Sequence, residues 1–148
     1  MSPARILVYI AVGAALFLAV ACGVGDDGDG DGTGALYVAL TEWTIAGEDG
    51  AALPTARAGE VSFEVHNEGA IIHDFAVFRT DTDPADLPVA GVIVDEEAAG
   101  ELLGRISSNF GAGAVEVLTL ELTPGAYALV CNTPGHYQVG MFAKLVVE

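Results

Sequence analysis

The sequence predicts an all-β domain, an antiparallel β-sandwich, and three observations predict it. Short apolar runs rich in Val, Leu and Phe recur along residues 35–148. Gly and Pro turn signals separate them, as in Thr123-Pro124-Gly125-Ala126, where Pro then Gly meet the type II turn preference. The best-formed run, Val61-Ser62-Phe63-Glu64-Val65-His66, alternates apolar and polar residues with the two-residue period of a strand. Many short strands joined by such turns favour two packed sheets. A chain of 148 residues allows one such domain.

Ahead of that domain, Ile6 to Gly25 carries no charge and follows a single Arg5. This is the pattern of an export signal. It ends in Ala19-Val20-Ala21-Cys22, which resembles a bacterial lipobox, although the position three before the Cys is Ala and not the favoured Leu. Residues 1–21 are therefore read as a signal peptide or an N-terminal membrane anchor, since twenty uncharged residues can also just span a bilayer. Either reading places the remainder outside the cytoplasm, on the outer face of the cytoplasmic membrane or in the periplasm. Residues 22–34 are read as a lipidated Cys22 followed by a flexible acidic Gly/Asp linker. Asp27, Asp29, Asp31 and Gly32 match the first half of a calcium loop, but Val38 stands where that loop needs its closing Glu.

Within 35–148, Val61 to His66 presents Val61, Phe63 and Val65 to a core. Asp74 to Phe78, Val115 to Leu122, Tyr127 to Cys131 and Met141 to Val147 read as further strands. Asp95 to Ile106 reads as a short helix, weakened by Gly100 and Gly104. No internal repeat is visible.

Charge narrows the function. The formal net charge is −16, from 21 acidic and five basic side chains. All the acids and four of the bases follow Cys22. Such a chain is a poor binder of nucleic acid, whose phosphates need Lys and Arg, and it favours cationic partners. Of the two cysteines, Cys22 belongs to the export segment, so Cys131 has no disulfide partner. In an oxidising compartment a bound metal would occupy that sulfur.

Cys131, His136 and Met141 fall within CNTPGHYQVGM, spaced Cys-x4-His-x4-Met. Thiolate and thioether are soft and suit Cu(I), and imidazole suits both copper states. Two His, one Cys and a weak axial Met form the blue-copper set. Cys131 ends one strand and Met141 begins the next, so both stand at one end of the sandwich. Thr133-Pro134-Gly135-His136 supplies a turn that brings His136 back to them. Met141 is also the only Met besides the initiator. The second imidazole comes from His66 or His73. His66 lies on the polar face of its strand, whereas His73 starts one, so His73 is the choice. A Cys131–His136 catalytic pair would need a third group to orient the His, and none is evident.

GEVSFEVHNEGAIIHDFAVF and TPGAYALVCNTPGHYQVGM together resemble the cupredoxin family of small blue copper proteins. The spacing is similar to its longer-loop members such as rusticyanin and auracyanin, and a lipid-tethered form resembles the halocyanin-type carriers. The resemblance implies a Greek-key β-sandwich over residues 35–148 and one type 1 copper ion. His73, Cys131 and His136 would be its strong ligands and Met141 the axial one. It implies a monomeric carrier of single electrons between membrane or extracytoplasmic redox partners, not an enzyme. A His136 edge would be exposed among Pro134, Tyr137, Val139 and Phe142. Many members carry Asn after the first His, where this chain has Asp74. The competing function is a copper-handling protein that stores copper or delivers it to an oxidase. Such proteins favour Met- or His-rich tracts, which this chain lacks.

Overall fold

A computed structural model of the chain describes residues 34–148. Residues 1–33, on which the signal, anchor, lipidation and linker expectations fall, lie outside the described residues. In chain order the elements are β1 (Leu36–Leu40), β2 (Ile45–Ala46), β3 (Gly59–Asn67), β4 (His73–Arg79), β5 (Val89–Ala90), β6 (Ile93–Val94), α1 (Glu96–Ala99), β7 (Glu101–Phe110), β8 (Val115–Leu122), β9 (Gly125–Val130) and β10 (Phe142–Val147). One sheet runs β2-β1-β3-β8 and the other β10-β9-β4-β7, with β5-β6 a separate hairpin. Every pair is antiparallel except β1 with β3, which is parallel.

The two sheets face each other across one core. Val38, Phe63 and Val65 of the first meet Phe75, Leu129 and Leu145 of the second. In β3 the alternation is as the sequence predicts: Val61, Phe63 and Val65 are buried, and Ser62, Glu64 and His66 turn outward. The second sheet is buried on both faces. Ala76, Phe78, Ala128 and Val130 pack outward against Leu87, Val94, Ala99 and Tyr137. Residues 80–100 thus wrap the outer face, which is why β4 and β9 read as unbroken apolar runs. Tyr127 points inward, and its hydroxyl donates to the Thr123 carbonyl at 2.6 Å, fixing the corner before β9.

The helix expected over Asp95 to Ile106 is only four residues long. Asp95 caps it, its carboxylate accepting from the amides of Glu97 and Ala98. Gly100 then takes φ 137°, which no helix continues. The next ten residues form β7, paired with β4. Ile106 and Phe110 face the core. Gly104 leaves room for the opposite sheet, because a Cβ there would stand 2.7 Å from Leu120 Cδ2. The sequence assigned no element to Leu36–Ala46, where β1 and β2 lie.

At Gly100 a Cβ would meet the Arg79 carbonyl oxygen at 2.5 Å, in a backbone region that L-residues avoid. Gly100→Ala is expected to lower the unfolding free energy by about 2 kcal/mol. Denaturant melts would check this, and an unchanged midpoint would count against the turn geometry.

Strand direction sets the next level. β4 and β10 both run antiparallel to β9. The start of β4, the end of β9 and the start of β10 therefore meet at one end of the second sheet.

Candidate metal centre

His73 opens β4 and is delivered by the turn before it. Asn67, 1% exposed, ends β3 and organises that turn. Its side-chain amide donates to the carbonyls of Ile71 (2.9 Å) and Phe110 (2.8 Å), and its oxygen accepts from the Gly69 amide (3.0 Å). Gly69 lies so close over the imidazole that a Cβ there would be 3.0 Å from His73 Nε2.

Cys131, His136 and Met141 come from the loop between β9 and β10. His136 donates its amide to the Thr133 carbonyl at 3.0 Å, and Gly135 has φ 86°. This is the Pro-Gly turn that the sequence predicts. The loop closes at its neck, where the Cys131 amide donates to the Met141 carbonyl and the Met141 amide to the His136 carbonyl, both at 3.1 Å. From outside, the 80–100 segment grips it. Gly135 donates to the Val92 carbonyl (2.8 Å), Gln138 Nε2 to the Gly91 carbonyl (3.0 Å), and the Leu87 amide to the Tyr137 hydroxyl (2.9 Å).

The result is a compact triangle of donor atoms. His73 Nδ1 lies 3.2 Å from His136 Nδ1, His136 Nδ1 lies 3.4 Å from Cys131 Sγ, and His73 Nδ1 lies 3.7 Å from Cys131 Sγ. A point about 2 Å from all three exists in their plane, the length of a metal–nitrogen or short metal–sulfur bond. All three residues are buried, and among the described residues this is the cluster suited to a metal ion. Met141 is fully buried in the same core as Cys131.

The protonation states suit a metal. Burial lowers the His73 pKa, helped by the neighbouring His136 and opposed by Glu42. Burial also lowers that of His136. Both shifts favour the neutral imidazole, the form that offers a lone pair to a metal. Burial raises the Cys131 thiol, so it keeps its proton until a cation displaces it. The Asp74 amide faces the sulfur at 3.5 Å. His73 Nε2 is buried with no hydrogen-bond partner among the described residues.

His66 stands apart from the triangle. Its Nε2 pairs with Glu64 Oε1 at 2.7 Å and its ring stacks on Tyr37 at 4.4 Å, on the outer face of the first sheet. The surface over the triangle differs from the expected one. Tyr137 is buried and Phe142 half-buried, so neither offers much to a partner. Pro134 and Val139 are exposed, and Trp43, Ile71 and Ile72 join them. Trp43 packs edge-on against His136, ring centroids 5.6 Å apart, and His136 itself is only 8% exposed. No local pattern announces Trp43, although it is the chain's single Trp.

Asp74 does not leave a gap where an amide was expected. Its Oδ1 accepts from the Asn132 amide, and Arg105 stands near its other oxygen.

The family model of the sulfocyanin (SoxE) domain matches residues 44–148. No curated protein matches in sequence. Among solved structures, the chain is similar to dithionite-reduced auracyanin from the photosynthetic bacterium Roseiflexus castenholzii, with 20% identity and a TM-score of 0.57 over 78% of this chain and 99% of that one. Auracyanin B gives 19% and 0.52, over 77% and 88%. Reduced rusticyanin gives 20% and 0.51, over 76% of each chain. At these identities the likeness concerns the fold.

Proposed function

The chain belongs to the sulfocyanin (SoxE) domain family, a family of cupredoxins, and from that premise we propose that it is a type 1 copper protein that carries single electrons outside the cytoplasm. The observation that carries this is the buried triangle of two imidazole nitrogens and one sulfur. His73 and His136 would hold the ion through Nδ1 and Cys131 through its thiolate, and Met141 would offer a weaker thioether donor. This donor set suits copper in both oxidation states. When bound, the ion supplies a reversible one-electron couple.

The protein's own residues do the rest. The loop's hydrogen bonds hold the donors in place, so little needs to move when the charge changes. Cys131 gives up its thiol proton on loading. The packed core around Phe75, Phe110 and Met141 keeps water away. No substrate is transformed, so the protein is a carrier and not an enzyme.

Partner choice follows from charge. Residues 43–47, 69–72, 89–94 and 132–143 contain no Asp, Glu, Lys or Arg, although the chain is strongly acidic. A mostly apolar face, with Glu42 beside it bonded to the Ala70 amide, on an acidic body fits a redox protein with an apolar contact patch and a cationic rim. Export and tethering through Cys22 or an N-terminal helix would keep the carrier at the membrane surface.

Adding Cu(II) to the purified protein is expected to give an intense visible thiolate-to-copper band at one ion per chain. A mild reductant should bleach it and an oxidant restore it. Trp43, with its ring beside that of His136, should lose most of its fluorescence in step with the band. Tight Cu(I) uptake with ready release and no band would mark a copper-handling protein instead. A colourless protein would overturn the copper reading.

A further inference from the structure

Asp74 is the one buried carboxylate among the described residues, 4% exposed. It grips the metal loop twice. Its backbone amide faces Cys131 Sγ at 3.5 Å, and its Oδ1 accepts from the amide of the next residue, Asn132. A buried carboxylate needs a counter-charge as well as hydrogen bonds. Arg105, opposite Ala76 in the β4–β7 ladder, brings Nε to 3.8 Å from Asp74 Oδ2. Its Nη2 donates to Glu96 Oε1. That same Glu96 oxygen accepts from Asn132 Nδ2 at 2.8 Å. Asn132 is further fixed to Val94, accepting from its amide at 2.7 Å. The contacts therefore close into a ring, Asp74–Arg105–Glu96–Asn132, that returns to the residue bonded to Cys131.

We propose that Arg105 is a positioning residue for the metal centre, holding the Asp74 carboxylate on the Asn132 amide and thereby fixing the sulfur of Cys131. The proposal rests on the copper reading above. Its logic is specific to an acid at position 74. An amide there could keep the bond to Asn132 without any cation, so dependence on Arg105 should vanish when Asp74 is replaced by Asn. Outer partners of this kind typically change metal affinity by about 10- to 100-fold.

The test uses the full chain in four forms: wild type, Arg105→Gln, Asp74→Asn and the double variant. Copper affinity is measured by competition with a chelator, and exchange of the Asn132 amide is measured by NMR in the metal-free protein. Arg105→Gln is expected to weaken copper binding about tenfold and to speed Asn132 exchange by a similar factor. The double variant should match Asp74→Asn within about threefold in both. Should Arg105→Gln fail to fold, Arg105→Met takes its place, compared in the same way in both backgrounds. Equal losses from Arg105→Gln in both backgrounds would overturn the proposal, as would no loss in either. Because the exchange measurement needs no metal, it tests the ring even if the wild type takes up no copper, an outcome that would instead remove the copper reading.

Discussion

Cys131→Ser is expected to abolish the visible band completely while leaving the metal-free protein folded. The sulfur is the one soft, ionisable donor in the triangle. Its two neighbours are neutral imidazole nitrogens at 3.4 and 3.7 Å. A serine hydroxyl does not ionise in the pH range where the thiol gives way to a metal, and it has no low-energy charge transfer to offer. Colour and strong binding should go together. The fold has little stake in the sulfur itself. Serine is close in size, and its hydroxyl can accept from the Asp74 amide or share a proton with either imidazole. A hydroxyl so partnered should cost about 1 kcal/mol of stability. Absorbance during copper titration, with denaturant melts of both metal-free proteins, checks the two halves. A band that survives in the serine variant would show that the sulfur is not a ligand.

What was legible in the sequence was local. Cys131, His136 and Met141 lie within eleven residues, and the turn that folds His136 back is encoded by Pro134 and Gly135, the latter at φ 86°. The β3 strand was legible because only one of its faces is buried, which leaves the two-residue alternation intact. β7 was not. Its residues include Gly104, whose purpose is visible only when Leu120 of the other sheet lies against it. The acidic start at Glu96 and Glu97 imitates a longer helix that Gly100 ends. Around the candidate metal centre, Trp43, Arg105 and Asn132 carry no signal in the sequence, for a common reason. Each is ordinary in its own segment, and its role exists only through contacts with distant ones, Trp43 with His136 and Arg105 with Asp74 and Glu96.

The two upstream histidines offer the sharpest contrast. His73→Ala is expected to abolish the blue band, and His66→Ala to leave it unchanged. The residues lie seven positions apart, in strands adjoining one turn, yet on opposite sides of the first sheet's inner face. His73 is fully buried, with Nδ1 3.2 Å from His136 Nδ1. Without it the centre has two strong donors, too few to hold an ion in the trigonal set that gives the colour. His66 is half-buried against Tyr37 and bonded to Glu64, which is half-buried too. Removing such a surface pair should cost at most about 1 kcal/mol of stability, with no effect at the metal. Copper titration of both variants, read by absorbance, decides between them. If His66→Ala lost the band and His73→Ala kept it, the start of β4 could not be where the imidazole enters. The same result would remove the reason for Asn67 and Gly69 to shape the turn before it, since their hydrogen bonds and close approach serve to seat the His73 ring.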